Sequence, residues 1–264
     1  MNNLITNFDQ IIKFAQDYQL PLSKKRGILR EYLQVKILDI LYRQKNSSQL
    51  IFVGGTCLRL TRNLDRFSED LDFDLSEIGF KEADCLIRQV FNQLKKENIA
   101  LDFYRNQTKK RIYWEFRFKN LLFELKIGDD PGEKLMIKFD LEKSWRKHQK
   151  QVVLLNRYGF LVNVVTIPLS QLLVQKLAAY LERAQTQPRD IYDIVWLISQ
   201  GAKIDKQFAK DNRLSLDLVS RAVKKFHREE KKLKYFKRRL QPFLLNEKYL
   251  DKLSLFPQLL EKLG

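Results

Sequence analysis

The sequence has few of the residues that build disulfide-linked, metal-clustered or membrane-spanning proteins. It contains two cysteines, Cys57 and Cys85, and two histidines among 264 residues. Two cysteines cannot form a disulfide framework, and their spacing from His148 and His227 does not match a metal site. Apolar runs are short and interrupted by charge, which excludes a membrane-spanning helix. The N-terminus lacks a basic region followed by a continuous apolar run, so we expect no secretory signal and a cytoplasmic location.

Acidic residues are scarce relative to basic ones. The chain has 49 Lys and Arg against 32 Asp and Glu, a formal charge of +17 and a pI near 9.7. Hydrophobic residues make up 44% and aromatic residues 12%, enough for a core at this length and too many for a disordered chain. The charge favours contact with a polyanion, with no membrane partner expected, but it does not identify a reaction.

Local patterns in the first 165 residues predict a mixed α/β sheet with flanking helices. Apolar residues from Leu29 to Leu41 recur at helical spacing and predict a helix that ends before Asn46. The run 50–53 predicts a buried strand that meets a glycine turn, with a new helix from Thr56. Further predicted elements are a strand at 70–75, a helix at 81–97 and a strand at 136–140. Between the last two, alternating runs at 112–118 and 121–127 predict two strands that form a meander or hairpin across Lys119-Asn120.

From Pro168 the pattern becomes helical. Ser170 is predicted to cap a helix that runs to about Arg183, and a second helix begins near Pro188. The remainder to residue 264 is helical in pattern and very basic. No repeat and no Gly/Ser-rich or Pro-rich linker marks a boundary. We therefore predict an α+β fold with a mixed β-sheet domain and N-terminal helices over 1–165 and a basic helical domain over 166–264.

Paired aspartates and a glycine turn are the first features that point to chemistry. Asp70 and Asp72 lie on one face of the predicted strand, since residues i and i+2 of a strand point the same way. Neighbouring carboxylates repel, and a shared divalent cation stabilises them. Upstream, Gly54, Gly55 and Thr56 offer backbone N–H groups at a helix start, which favour a phosphate. Nucleotidyl transfer requires both elements.

Other residues near these motifs extend the predicted site. Arg66 and Ser68 are predicted to contact a triphosphate, one as a charge clamp and the other as a hydrogen-bond donor. Asp140 follows an apolar run and supplies a third carboxylate, with Lys138 on the same strand face as a nucleotide contact. Asp74 shares the face of the aspartate pair, and we interpret it as solvent-exposed rather than as a ligand.

The motifs in this order resemble the AbiEii/AbiGii-type toxin nucleotidyltransferase family, relatives of the DNA polymerase β superfamily. The resemblance covers about residues 50 to 197. It rests on four matching segments: 54–59 with 66–72, the Lys-Phe-Asp of 138–140, Gln171 to Lys176 with Arg183, and the Arg-Asp-Ile-Tyr-Asp of 189–193.

The resemblance implies an NTP-dependent enzyme with Mg²⁺ bound by Asp70, Asp72 and Asp140. It also implies that Gly55, Thr56 and Ser68 hold the triphosphate, and that Lys176 and Asp190 are essential residues from the helical half. Members of the family have a cognate antitoxin as partner. By spacing, Lys176, Tyr180 and Arg183 share one helix face, a cationic stripe suited to neutralising phosphate charge. Asp193 is interpreted as a helix-surface residue paired with Arg189.

Two basic clusters are candidates for RNA binding. Residues 221–239 contain ten Lys and Arg and two acids, with three aromatic residues between them, and a smaller cluster surrounds Trp145. Basic side chains follow a phosphate backbone, and aromatic rings stack on unpaired bases. The candidate RNA contacts are Lys143, Arg146, Lys147, Lys224, Lys225, Arg228, Lys231 and Lys232. The alternatives are a solvated lysine-rich helix with a buried aromatic stripe, and docking to an acidic antitoxin.

These features favour a toxin that transfers a nucleoside monophosphate from an NTP to an RNA, with the tRNA 3′ end as the expected acceptor. A first alternative is a nucleotidyltransferase acting on a small molecule of the antibiotic type, against which the positive charge argues. A second is a non-catalytic RNA- or protein-binding module on the same fold, against which the intact Asp70, Asp72, Asp140 and Lys176 argue.

Overall fold

In the computed structural model, which describes residues 7–263, a five-stranded sheet with helices precedes a helical region. The strands are β1 (Leu50–Val53), β2 (Asp70–Leu75), β3 (Leu101–Gln107), β4 (Arg111–Phe118), β5 (Leu135–Glu142), β6 (Gln151–Arg157) and β7 (Phe160–Thr166). The α-helices are α1 (Phe8–Asp17), α2 (Lys25–Tyr42), α3 (Gly54–Arg62), α4 (Phe80–Lys96), α5 (Leu121–Glu124), α6 (Leu169–Glu182), α7 (Pro188–Ser199), α8 (Lys206–Asp211), α9 (Leu218–Glu229), α10 (Leu233–Leu240) and α11 (Phe256–Glu261). Short 3₁₀ helices cover Leu22–Lys24, Ser47–Gln49, Glu230–Lys232, Gln241–Phe243 and Glu247–Leu255.

The main sheet is mixed, with strand order β1-β2-β5-β4-β3. Strands β2 and β5 run parallel, and the other neighbouring pairs are antiparallel. Strands β6 and β7 form a separate two-stranded ribbon. The prediction of a mixed sheet with flanking helices is confirmed.

The sheet separates apolar from charged side chains by the alternation of its strands. One face is a continuous aromatic core in which Phe52 packs on Phe73 and Phe116 packs on Phe139, at ring separations of 5.4 and 4.6 Å. Trp114 is fully buried on this face. The alternate residues of β2, β4 and β5 are mostly charged and lie on the opposite face, so the fold itself gathers the polar groups of the site.

Most elements predicted from periodicity are present. The structure confirms β1, β2, β4 and β5, and it confirms helices α2, α3, α4, α6 and α7 within one or two residues at most ends. Helix α3 starts at Gly54 rather than Thr56. The prediction that Ser170 caps α6 is wrong, because the helix begins at Leu169 and Pro168 is the N-cap residue.

The predicted strand at 121–127, and with it the meander or hairpin across Lys119-Asn120, is also wrong. Residues 121–124 form the short helix α5, in which Leu121 and Leu122 are buried and Phe123 is exposed. Asn120 adopts a left-handed conformation that leads into this turn. The alternating residues 121, 123, 125 and 127 therefore do not all face one side, as a strand requires.

Two hairpins were not predicted. Strand β4 forms a hairpin with β3, and the two are joined by a turn at 108–110 that contains no glycine or proline. Ribbon β6–β7 turns at Tyr158 and Gly159, which both have positive φ, 54° and 79°. Two central residues with positive φ form the turn that matches the twist of a hairpin, but Tyr-Gly is a weaker signal for it than Asn-Gly.

The chain forms two compact units. The sheet unit contains residues 7–63, 67–144 and 152–166, and the helical unit contains residues 64–66, 145–151 and 167–263. Within the sheet unit, α2 packs on α4 and on β7, and α3 packs on β2. Within the helical unit, α6 packs on α7 and α9 packs on α6 and α11. Every helix in the described part of the chain is too short or too polar to cross a membrane.

Candidate active site

The turn from β1 into α3 brings the backbone directly against an aspartate. Gly54 has φ +78°, a conformation that side-chain-bearing residues rarely adopt. A Cβ atom built on Gly54 would collide with the Asp72 carboxylate, and would lie 2.9 Å from the Asp72 Cβ. Glycine is therefore needed here for two reasons, the backbone angle and the close approach of Asp72.

The first turn of α3 is tied to the start of β2. The Thr56 hydroxyl is fully buried and donates a hydrogen bond to the backbone carbonyl of Asp70. The Thr56 hydroxyl is thereby engaged within the fold, and the backbone N–H is the group of Thr56 that remains a candidate for phosphate binding. The first N–H groups of a helix have no acceptor within the helix, so the backbone of Gly54, Gly55 and Thr56 offers donors at this position.

Three carboxylates lie on the charged face of the sheet in two neighbouring strands. Asp70 and Asp72 alternate with buried residues in β2, and Asp72 is in register with Asp140 of the parallel strand β5. Asp74 follows on the same strand face, but it is only 3% exposed, so its interpretation as solvent-exposed is wrong. Strand pairing thus brings the predicted Asp70, Asp72 and Asp140 together.

The neighbouring strand β4 adds residues that the sequence did not single out. Lys138 is in register with Asp70 on one side and with Glu115 on the other, and Tyr113 is in register with Asp140. The Tyr113 hydroxyl donates to Glu115 Oε2 at 2.9 Å. Tyr, Glu and Arg alternate with buried residues in β4, and this alternation was the available signal.

Electrostatics on this face are dominated by the carboxylates. Burial, the bond to Glu115 and the nearby charges of Asp70 and Asp140 raise the pKa of Tyr113, so its hydroxyl stays protonated. Burial of Glu115 opposes its charge, but bonds from Arg117 and Tyr113 outweigh burial and lower its pKa. Glu115 is therefore a carboxylate that holds both neighbours in place.

The donor set suits a hard divalent cation, which prefers carboxylate oxygens. Asp70, Asp72 and Asp140 supply such oxygens from adjacent strand positions, and the backbone of Gly54 leaves room for the Asp72 carboxylate. Arg111 Nη1 lies 3.1 Å from Asp140 Oδ2. Across residues 7–263, no three or more His, Cys, Asp or Glu side chains are already gathered as a metal site. The three aspartates fit Mg²⁺ in donor chemistry and strand position.

The segment before β2 is held by α2. Gln34 Nε2 donates to the backbone carbonyls of Ser68 and Glu69 at 3.1 and 2.9 Å, and Arg30 pairs with Glu69 at 2.9 Å. Ser68 is half-buried beside the start of the strand that carries Asp70. Its backbone is thereby fixed next to the carboxylates.

Arg66 belongs to the helical unit, where it forms a buried ion pair with Asp193. Its Nε and Nη2 donate to Asp193 Oδ1 and Oδ2, both at 2.7 Å, and the residue is 1% exposed. Arg66 is therefore left out of the nucleotide site proposed below. The interpretation of Asp193 as a helix-surface residue paired with Arg189 is wrong, because its carboxylate is buried and bound to Arg66 and Lys176.

Lys176, Asp190 and Arg183 are brought together in the helical unit. Lys176 Nζ lies 2.7 Å from Asp193 Oδ2 and 3.4 Å from Asp190 Oδ1, and Arg183 Nε lies 3.2 Å from Asp190 Oδ2. Burial opposes the charge of Lys176, but the two aspartates outweigh burial and raise its pKa. Tyr180 is fully buried, so the predicted stripe of Lys176, Tyr180 and Arg183 is not a continuous exposed face.

A second set of contacts that the sequence did not predict anchors the 64–66 segment in this unit. Asp65 accepts a hydrogen bond from the Tyr192 hydroxyl at 2.7 Å and pairs with Lys252. Together with the Arg66–Asp193 pair, it fixes the 64–66 segment to α7. No sequence signal marks these partners, which are more than a hundred residues apart.

The basic clusters divide into exposed and engaged residues. Lys225 Nζ donates to the carbonyls of Tyr180 and Arg183 at 2.6 and 3.0 Å, so its assignment as an RNA contact is corrected to a cap on the end of α6. Phe226 and Phe236 are buried and are not available to stack on bases. The exposed candidates are Lys143, Arg146, Lys147, Lys224, Arg228, Lys231 and Lys232.

Comparison with known proteins identifies relatives of this arrangement. The family model for the nucleotidyl transferase AbiEii toxin of type IV toxin–antitoxin systems matches residues 36–262. The fold is similar to that of JHP933 from Helicobacter pylori, at 20% identity and TM-score 0.55 over 89% of this chain and 92% of that one. It is also similar to MenT4, a nucleotidyltransferase toxin from Mycobacterium tuberculosis H37Rv, at 18% identity and TM-score 0.54 over 96% of this chain and 89% of that one.

A search of curated proteins finds no match. The two structural likenesses lie below 25% identity and establish the fold alone. The family match covers most of the chain, including all the predicted motifs, and it makes the protein an enzyme of the class that the paired aspartates indicated. The chain belongs to the AbiEii nucleotidyl transferase toxin family.

Proposed function

We propose that this toxin transfers a nucleoside monophosphate from an NTP to an RNA hydroxyl, with the 3′ end of tRNA as the expected acceptor. The observation that carries the proposal is the contact of Gly54 with Asp72, which is itself in register with Asp140. A carboxylate pair against a glycine turn that opens a helix suits a triphosphate and its cation.

The reaction forms a bond between the acceptor hydroxyl oxygen and the α-phosphorus of the NTP. The bond from the α-phosphorus to the bridging oxygen of the β-phosphate breaks, and pyrophosphate leaves with that electron pair. The hydroxyl proton passes to a carboxylate, and Asp140 is suited to this role because it lies one strand away from the aspartate pair. When bound, Mg²⁺ supplies neutralisation of the phosphate charge.

Phosphate binding is assigned to groups around the start of α3. The backbone N–H groups of Gly54, Gly55 and Thr56 are oriented by the helix, whose N-terminus favours an anion. Ser68, fixed by Gln34, adds a hydroxyl, and Lys138, in register with Asp70, adds a cation. Asp70 and Asp72 would hold Mg²⁺ together with Asp140.

RNA as the acceptor class is supported by the charge distribution. Residues 167–264 contain 20 Lys and Arg and 11 Asp and Glu, a net charge of +9 in little more than a third of the chain. A surface of this kind binds phosphate backbones in a salt-dependent way. A cognate antitoxin is the expected protein partner, as the type IV family implies. Lys176, Asp190 and Arg183 stay predictions as functional residues.

The test is incubation of the purified protein with each α-labelled NTP, Mg²⁺ and total tRNA. We expect label in tRNA with the wild type and its loss with Asp72→Ala, because the variant lacks one of the carboxylates that would hold Mg²⁺. The matched control is Asp211→Ala, an exposed aspartate of α8 whose carboxylate accepts a surface bond from Gln207. It should keep wild-type transfer.

Equal transfer by Asp72→Ala and the wild type would contradict the assignment of Asp72 as a metal ligand. Label on protein would replace RNA with a polypeptide hydroxyl as the acceptor. Label on a small molecule added in place of tRNA, with none on tRNA, would favour the small-molecule alternative.

A further inference from the structure

The charged face of the sheet continues beyond the carboxylates into a group of aromatic and basic side chains. Tyr104 of β3 is 46% exposed, and its ring lies 6.2 Å from that of Tyr113 in an edge-to-face arrangement. The Arg117 guanidinium lies over the Tyr104 ring at 5.5 Å from its centroid. An exposed aromatic ring with an arginine over it is the kind of surface on which a nucleobase stacks.

Glu115 holds this group in place. Its carboxylate accepts hydrogen bonds from the Tyr113 hydroxyl at 2.9 Å and from Arg117 Nε at 2.7 Å. Tyr104 is the register partner of Glu115 across the β3–β4 hairpin. The two rings and the guanidinium plane are thus oriented before any ligand arrives, which reduces the entropy lost on binding.

Strand pairing places the group near the proposed site of transfer. Tyr113 is in register with Asp140 of the neighbouring strand β5. Tyr104 lies in the row that crosses the sheet from β3 to β2, and the other residues of this row are Glu115, Lys138 and Asp70. With strands about 4.8 Å apart, Tyr113 lies about 10 Å from Asp72 across the sheet and Tyr104 about 14 Å from Asp70. The group therefore lies on the same face of the sheet as the carboxylates, two to three strand positions away from them.

We propose that Tyr104, Tyr113 and Arg117 form a stacking platform for a nucleobase. This inference rests on the proposed function, since it assigns the base that accompanies the reacting phosphate or hydroxyl. The base has two sources, the NTP and the end of the acceptor RNA, and both offer the same aromatic face to Tyr104. The aromatic residues Phe226 and Phe236 of the basic segment are buried and cannot take this role.

The experiment compares Tyr104→Ala, Tyr104→Phe and a control by binding rather than by turnover. Phe123→Ala is the control, since Phe123 is as exposed as Tyr104, at 47%, but lies on α5 outside the platform. Binding of each NTP is measured by calorimetry, and binding of a fluorescently labelled single-stranded RNA octamer by anisotropy. Circular dichroism establishes that each variant is folded.

We expect Tyr104→Ala to lower the affinity for one of the two ligands by about 10-fold or more, because one stacked base is lost. Tyr104→Phe keeps the ring and should bind as the wild type does, and so should Phe123→Ala. Weaker binding of the octamer alone assigns the platform to the acceptor, and weaker binding of NTP alone assigns it to the nucleotide substrate. Unchanged affinity of folded Tyr104→Ala for both ligands overturns the proposal.

The result separates the platform from the reaction. If the wild type transfers no label to RNA, yet Tyr104→Ala loses affinity that Tyr104→Phe retains, the platform stands and the proposed acceptor is wrong. If the wild type does transfer label, and both Tyr104→Ala and Tyr104→Phe bind the NTPs and the octamer as tightly as the wild type, the reaction stands and the platform is wrong.

Discussion

Arg66 and Asp193 form a bidentate ion pair inside the helical unit, although 127 residues separate them. Removing the carboxylate leaves the charges of Arg66 and Lys176 buried without their main partner. We expect Asp193→Ala to lower the free energy of unfolding by about 3–5 kcal/mol, as breaking a buried pair does. Urea denaturation followed by circular dichroism measures it.

The control for this variant is Asp251→Ala. Asp251 pairs with Lys237 at 2.6 Å, but its side chain is 86% exposed. Removal of an exposed pair costs at most about 1 kcal/mol. Equal losses for the two variants would show that burial of the Arg66–Asp193 pair contributes nothing to stability.

The same pair makes stability depend on pH. Burial opposes the charge of Asp193, but Arg66 and Lys176 outweigh burial and lower its pKa in the folded state. A lowered folded pKa stabilises the protein above the unfolded value, about 3.9, and the stabilisation is lost as the pH falls through the folded pKa. We expect the stability gap between wild type and Asp193→Asn to be full at pH 7 and to shrink below about pH 4. A gap that widened on acidification would contradict this sign.

Sequence patterns were sufficient to select the three aspartates of the candidate site in the sheet unit, which stays a prediction as an active site. Asp70, Asp72 and Asp140 were predictable because a strand alternates its faces and because a glycine pair between a strand and a helix favours phosphate binding. Their register was not predictable, since β2 and β5 are separated by two strands along the chain. The positions of Glu115 and Tyr113 beside the carboxylates depend on the pairing of β4 with β5, which the sequence did not predict.

Long-range pairs limited the prediction elsewhere. Asp193 has the sequence context of a helix surface, and only the fold places Arg66 and Lys176 against it. Lys225 has the composition of an RNA contact, and only the arrangement of α6 and α9 turns it into a cap. In both cases a tertiary partner decides the role of a charged residue whose local pattern fits solvent equally well.

Gly54→Ala tests the contact between the glycine turn and Asp72. The new methyl group would displace the Asp72 carboxylate, so we expect NTP-dependent labelling of tRNA to fall on the order of 100-fold, the cost of a misplacement of about 1 Å. Gly201→Ala is a matched control, since Gly201 has φ +80° and a Cβ added there would meet no atom within 4 Å. It shares only the backbone cost of about 1–2 kcal/mol and should keep its activity. Comparable loss of activity in both variants would point to backbone strain alone.

Arg111→Gln tests whether Arg111 competes with Mg²⁺ for the carboxylate of Asp140. Arg111 is half-exposed and lies 3.1 Å from Asp140 Oδ2, where it opposes a second cation. Its removal should lower the Mg²⁺ concentration for half-maximal labelling by about two- to five-fold, the worth of an exposed ion pair. A Mg²⁺ titration of initial rates measures the shift, with Arg43→Gln, an exposed arginine paired with Asp39, as the control. A higher Mg²⁺ requirement would mean that Arg111 assists Asp140 instead of competing for it.

Substitutions of Lys225 and Lys231 distinguish a structural lysine from an RNA-binding lysine within the basic segment, residues 221–239. Lys225 caps the carbonyls at the end of α6, whereas Lys231 is exposed. Lys225→Met should lower the free energy of unfolding by about 1–3 kcal/mol, because charged hydrogen bonds to two carbonyls are lost, and should leave the salt dependence of RNA binding unchanged.

Lys231→Met should leave stability unchanged and reduce the slope of log affinity against log salt by about one, since one phosphate contact is lost. Urea denaturation and anisotropy of a labelled RNA at several salt concentrations measure the two effects, and an unchanged slope for Lys231→Met would remove Lys231 from the RNA surface.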